Sequence, residues 1–251
     1  MTEYRMTEDQ MAEERRTERV VRTSRPRASG PLVVLAVCSL LWAGPIAAES
    51  DTPDRAARDV VGDALARVME ILAKSELPAE VRRDRIAEIA YENFDFETMS
   101  KLVVARPWRN FTKGQRSEFI ASFKTHLARS YGRRLGRYDS TQVVEVVSEV
   151  TEPRGDVTVH SRVVGGQYDG AEMNYRMRGE TGEWQVIDVI IEGVSLVSNF
   201  RSQFKPILAQ GGAAELLARL ADKNDILQAE ISVEDASERT GQPVSKSASA
   251  E

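Results

Sequence analysis

The chain has 251 residues, 41% of them hydrophobic and 29% charged, with a formal net charge of −5. These proportions fit one globular domain with tails. A single cysteine, Cys38, excludes a disulfide framework and a cysteine-built metal site.

Residues 1–48 read as a charged extension followed by a secretory signal. The run PLVVLAVCSLLWA at 31–43 carries no charge. It is too short to span a bilayer, which takes about 20 helical residues. Arg22, Arg25 and Arg27 precede it and PIAAES follows, the charged–apolar–small order of a signal peptide with cleavage after Ala48. Arg15-Arg16 hints at twin-arginine export, but RRTERV lacks the apolar residues that should follow. LAVC at 35–38 resembles a lipoprotein box, yet Val37 and the continuing apolar run argue against lipidation. Cleavage removes seven arginines and six acidic residues, leaving 27 basic against 33 acidic residues over 203 positions, a net charge of −6. That length suffices for a sizeable core.

The first predicted helix runs from Asp54 to Leu72, with Val60, Val61, Ala64, Leu65, Val68, Ile71 and Leu72 on one stripe. SELPAE breaks it, and Pro78 opens a second helix that turns Ile86, Ile89 and Ala90 inward. Asp95 is positioned to cap a short helix carrying Met99, Leu102 and Val103, which Pro107 stops. Thr112 caps the next, along which Phe119, Ile120, Phe123, Leu127, Tyr131 and Leu135 recur. Core packing is the simplest use of such aromatics.

The pattern then changes to period two. TQVVEVVSEV, GDVTVHSRVV, GAEMNYRMRG and GEWQVIDVII predict four strands, joined by turns rich in glycine. Short turns imply an antiparallel meander. Strict alternation in the last strand sets Val186, Asp188 and Ile190 on one face and Ile187, Val189 and Ile191 on the other. After Gly193 the chain turns helical at about Ser195–Gln210, with Leu196, Val197, Phe200 and Phe204 at helical spacing, and again at Ala213–Lys223 after Gly211-Gly212. From Asn224 the chain is polar and acidic and reads as a disordered tail over 224–251. The expected domain is therefore 49–223. Its class is α+β: an antiparallel, curved sheet of four or more strands with helices packed on one face around an apolar cavity.

Catalytic signals are sparse. His126 and His160 are the only histidines. No zinc spacing, phosphate loop, nucleophile elbow or dinucleotide fingerprint occurs. Asp188 is the best acid, because burial would raise its pKa; its simpler role is a hydrogen bond within the sheet or with Arg201. No metal, cofactor or catalytic residue is assigned. The charge pattern is more informative: residues 101–138 hold ten Lys or Arg against Glu118 alone. This local excess suits an acidic protein partner or anionic headgroups, and export argues against nucleic acid.

The stretches NFDFETMSKLVVARPWRNFTKGQRSEFIASFKTHLARSYGRRLGRY, WQVIDVIIEGVSLVSNFRSQFKPIL and GGAAELLARLADK together resemble the MlaC, or toluene-tolerance, family of periplasmic phospholipid-binding proteins. The resemblance spans about Asp54 to Lys223. One departure is Ala105-Arg106-Pro107-Trp108, where the family usually has Leu-Gly before its Trp.

The resemblance implies a periplasmic lipid carrier without a cofactor. Its partners would be an outer-membrane lipoprotein–porin complex and an inner-membrane ABC transporter bearing a lipid-binding ring. Its cargo would be phospholipid, or a hopanoid-like lipid in a related branch. Two acyl chains in water cost on the order of 20 kcal/mol at about 0.8 kcal/mol per methylene, so such a carrier needs apolar walls and no catalyst. The wall candidates are Phe94, Met99, Val103, Phe119, Phe123, Leu127 and Tyr131 from the helices, and Val146, Met173, Tyr175, Met177, Val189, Ile191 and Val194 from the sheet region. Val197, Phe200 and Phe204 join them from the following helix. Arg129, Arg133, Arg134, Arg137 and Arg201 are the expected docking cations. The alternatives are an exported enzyme with an NTF2-like cavity and Asp188 or His160 as base, or a non-lipid adaptor that docks through its basic helix.

Overall fold

The computed structural model describes residues 55–240 apart from 136–141 and 180–181, together with Pro53. The chain divides into 1–48 and 49–251, and the expected signal and its cleavage point lie outside the described residues. No described helix is long and apolar enough to cross a membrane.

Among the described residues, four α-helices precede the sheet: α1 (Ala57–Ala73), α2 (Ala79–Asn93), α3 (Phe96–Val104) and α4 (Lys113–Leu135). Their starts follow the capping chemistry of the sequence. Pro78 stands at the N-cap of α2, where its missing N–H costs nothing. Asp95 Oδ1 accepts from the Thr98 amide at 2.8 Å. At α4, Thr112 Oγ1 accepts from Gln115 N and Gln115 Oε1 accepts from Thr112 N, a reciprocal capping box. A 3-10 turn at Arg106–Asn110 joins α3 to α4. Its entry residue, Ala105, has φ 59°, a left-handed conformation that favours glycine. This is the corner at which the sequence departs from the Leu-Gly pattern.

The sheet is an antiparallel meander of β1 (Val143–Thr151), β2 (Val157–Val164), β3 (Glu172–Arg178) and β4 (Gln185–Ile191), extended by the two-residue β5 (Val194–Ser195). Register aligns Val157, Met177 and Val186; Val159, Tyr175 and Val189; and Ser161, Met173 and Ile191. Val186 therefore shares a face with Val189 and Ile191, not with Asp188 as strict alternation predicts. The register shifts between Arg176 and Met177, leaving Ile187 as an extra residue on β4, and one extra residue reverses the parity of everything before it.

The last helix, α5, runs from Leu196 to Thr240 with a kink at Gly212 (φ 65°, ψ −150°). Helical structure thus continues past 223, where the sequence predicts a disordered tail. Three contacts hold the extension. Asn224 is buried against His126 and Ser122. Ile231 is 7% exposed. Asp235 receives both hydrogen bonds from Arg83 of α2 in a largely buried ion pair. Acidic composition alone does not reveal these pairings.

Candidate lipid-binding site

Two apolar layers flank α2 and α3. The first lies between α3, α4 and the first half of α5. Phe119 and Phe123 stack with centroids 5.6 Å apart, and Phe200 and Phe204 meet them edge-on at 5.3–6.3 Å. Trp108 and Phe111 close one end. Met99, Val103, Leu127, Val197, Leu216 and Leu220 fill the remainder. Phe119, Phe123 and Met99 are fully buried, and the rings touch one another throughout the layer.

The second layer lies between α1 and the sheet, and it contains a cavity of about 150 Å³. One wall is the α1 stripe of Val60, Val61, Ala64, Leu65, Val68, Met69 and Leu72. Ile86, Ile89, Ala90, Asn93 and Phe94 form the α2 side. Val144, Met173, Tyr175, Met177 and Val186 form the sheet side. Asn93 is the one amide in this lining, and its Nδ2 is already spent on the Ile89 carbonyl. The Tyr175 hydroxyl donates to Met173 Sδ. The α1 residues that line the slot run from Val60 to Leu72, about 18 Å at 1.5 Å per residue, and offer apolar surface with almost no polar competition.

This volume is below the roughly 300–1,000 Å³ of typical ligand pockets, so a lipid requires one wall to move. Helix α1 is the wall held least. It buries three residues and lacks a side-chain cap, as α2 does, but among the described residues it has no counterpart to the largely buried Arg83–Asp235 ion pair that holds α2. Its ties are Arg67 to Glu92, the Arg58 amide to Glu149, and Trp184 Nε1 to the Arg55 carbonyl. These contacts are exposed, and exposed pairs contribute at most about 1 kcal/mol each.

The predicted wall residues separate accordingly. Phe94, Met173, Tyr175 and Met177 line the cavity. Val146, Val189 and Ile191 pack in the same cluster beside it, and Tyr131 touches both layers. Met99, Val103, Phe119, Phe123, Leu127, Val197, Phe200 and Phe204 belong to the closed aromatic layer. Val194, at the start of β5, is 57% exposed. The α1 stripe is legible in the sequence as a buried face, but its periodicity does not say what it covers.

The basic run is partly committed within the fold. The Arg116 guanidinium lies 5.6 Å from the Trp108 ring centre, and Lys124 Nζ sits 3.7 Å from that of Tyr91. Arg129 Nη1 donates to the Asn224 carbonyl at 2.8 Å. Arg201 is exposed and donates twice to the Leu102 carbonyl. The side chains of Arg133, Arg134 and Arg137 lie outside the described ones.

The enzyme candidates have structural employment. Asp188 is buried and accepts from Ser195 Oγ and from the Val197 amide at 3.0 Å, so it anchors the start of α5. Arg201, the alternative partner, turns away to Leu102. His160 stands on the opposite sheet face from the cavity, paired in register with Asn174. Burial pushes the Asp156 carboxyl up, but hydrogen bonds and charge from Arg178 and Arg176 outweigh it and hold it below its ordinary value. Burial lowers the His126 pKa, opposed by its hydrogen bond to Asn224.

A family model described as MlaC protein matches residues 62–222. The toluene tolerance protein ttg2D of Pseudomonas putida is 27% identical over 119 residues, 47% of this chain and 55% of that protein. The chain thus spans about half the length of this curated relative. Among solved structures, the phospholipid-binding protein from Ralstonia solanacearum, determined in complex with a phospholipid, superposes with a TM-score of 0.63. At 22% identity, covering 69% of this chain and 99% of that one, this likeness establishes a shared fold.

Proposed function

Since this chain belongs to the MlaC family, we propose that it is a periplasmic phospholipid carrier whose α1–sheet slot takes up acyl chains. The observation that carries this reading is the slot itself: a long apolar cavity lined by aliphatic and thioether side chains, with its one amide already hydrogen-bonded. Such walls replace water around methylenes, each contributing about 0.8 kcal/mol. Methionines at 69, 173 and 177 suit chains of varied shape, because the unbranched thioether adapts to irregular neighbours. The headgroup stays in solvent, since the lining offers it no charged partner.

Transfer then runs between an outer-membrane lipoprotein–porin complex and an inner-membrane ABC transporter with a lipid-binding ring. Docking uses the basic end of α4, including Arg133 and Arg134, where charge speeds encounter and sets specificity. Protein purified from a Gram-negative periplasm carries phospholipid detectable by native mass spectrometry, and the delipidated protein reloads from labelled vesicles. Absence of both uptake and co-purifying lipid would sink the carrier reading. Arg133→Glu with Arg134→Glu slows delivery to the inner-membrane complex while preloaded lipid stays bound; unchanged delivery moves the docking site elsewhere.

A further inference from the structure

Helix α2 carries a cation that the fold leaves without an acceptor. Arg82 is half-buried, and its Nε is sealed from solvent with no hydrogen-bond partner among the described residues. Nearby cations are employed: Arg83 holds Asp235, and Lys74 holds Glu70. The positions three and four residues from Arg82 are Pro78, Ala79, Arg85 and Ile86, so its own helix supplies no carboxylate at ion-pair spacing. Arg85, which is exposed, adds a second positive charge there instead. A guanidinium held partly out of water without an acceptor is costly, and an anion arriving with a ligand relieves that cost.

Helical phase ties Arg82 to the slot. At about 100° per residue, Ile86, Ile89, Ala90 and Asn93 of the lining all fall within about 80° of Arg82 around the helix axis. Arg82 therefore continues the lining stripe, one turn or about 6 Å beyond Ile86. The end of the slot it extends is the less covered one. Where α1 begins, the Arg58 amide is tied to Glu149 near the end of β1, and Trp184 Nε1 donates to the Arg55 carbonyl. The lining residues Val61, Met177 and Val186 are buried there. Toward the other end, Met69 on α1 and Val144 near the start of β1 are only half-buried.

We propose that Arg82 receives the phosphate diester of the bound phospholipid at the rim of the slot. This assignment rests on the carrier reading and concerns the polar end of the same cargo. With the acyl chains along the slot, the glycerol reaches the rim beside Met69 and Ile86, and the phosphate comes one turn further, at Arg82. The planar guanidinium fork matches two non-bridging phosphate oxygens and forms charge-assisted hydrogen bonds with them. The alcohol beyond the phosphate stays in solvent. Arg82 thereby selects lipids that bear a phosphate. A diacylglycerol, or a hopanoid-like lipid without phosphate, fills the same walls and gains nothing at the rim.

The test is isothermal titration of the delipidated protein with dioctanoyl phosphatidylglycerol and with dioctanoylglycerol, which share acyl chains and differ in the phosphate ester. The wild type binds the phospholipid more tightly by about tenfold or more, the scale of a hydrogen bond to a charged group. Arg82→Gln weakens the phospholipid by about the same factor and leaves the diacylglycerol unchanged. Its melting temperature is not lowered, because the substitution strands no partner. Arg82→Lys, which keeps the charge without the fork, falls between the two. Inorganic phosphate alone gives no measurable binding. If the wild type takes up neither lipid, the carrier reading fails and the proposal with it. If it takes up both, and Arg82→Gln weakens both equally or neither, the carrier reading stands and the assignment of Arg82 is overturned. Binding of inorganic phosphate that depends on Arg82 also overturns it, since the anion would then not come from a lipid.

Discussion

The layer between α3, α4 and α5 and the layer between α1 and the sheet are both apolar, but they are built from different side chains. In the first, six phenyl and indole rings meet at 5.3–6.3 Å in stacked and edge-on geometries. Rings in such arrangements satisfy one another's quadrupoles and leave little space. In the second, valines, leucines and methionines of a loosely tied helix face a bulged sheet and enclose a void. The family-like motif GVSLVSNFRSQF contributes Val197, Phe200 and Phe204 to the closed layer. These side chains pack α5 against α4, outside the lining of the α1–sheet cavity. Apolar composition thus does not distinguish a closed layer from one that encloses a void; side-chain type and the strength of the surrounding ties do.

The largest effect expected from this contrast is on stability. Phe119→Ala removes a fully buried ring at the centre of the closed layer and costs about 3–5 kcal/mol, read by urea denaturation. Phospholipid bound per folded molecule stays the same. If the folded variant also loses its lipid, the two layers are not separable in function.

Leu65→Glu probes the other side. Leu65 is half-buried and lines the slot, so the helix tolerates the change while a carboxylate meets acyl chains without a partner. Loading falls at least tenfold and the melting temperature moves only a few degrees. Undiminished loading removes α1 from the site.

Ala105→Gly sharpens the contrast from the rigid side. A non-glycine residue at φ 59° is strained by about 1 kcal/mol or more, and glycine relieves it, so the variant is more stable by about 1 kcal/mol with loading unaffected. Thermal and chemical denaturation both report this; a destabilised variant refutes the strain.

The smallest expected effect is pH dependence at the α4–α5 seam. Burial lowers the His126 pKa. The unfolded histidine takes up its proton near 6.5, so below about pH 6.5 the unfolded state binds more protons and stability declines. His126→Gln flattens that decline between about pH 6.5 and 5. Asp156 acts in a separate window. Its folded pKa is depressed by Arg178 and Arg176, so its contribution is present above the ordinary carboxylate value, near 4, and is lost only in more acidic solution. Identical pH profiles for wild type and His126→Gln contradict the assignment.

Much of the fold is legible in the sequence because local signals agree with it. The caps at Asp95 and Thr112, the break at SELPAE and the glycine turns each mark a boundary that the structure keeps. Non-local features are not legible. Nothing in the letters QVIDVII announces the extra residue at Ile187 that returns Val186 to the cavity face. The Arg83–Asp235 ion pair joins positions 152 residues apart, so the helical extension past Asn224 reads as an acidic tail. Site assignment divides for the same reason: Met173, Tyr175 and Met177 follow from strand alternation, whereas allotting each helical stripe to the slot or to the closed layer requires knowing which stripe faces which.

The most direct test of the central claim is photocross-linking with a phospholipid that carries a diazirine along its acyl chain, with adducts mapped by peptide mass spectrometry. The account predicts adducts on the α1 stripe between Val60 and Leu72 and on Met173, Tyr175 and Met177. Adducts concentrated on Phe119, Phe123, Phe200 and Phe204 would contradict it and place the cargo in the aromatic layer.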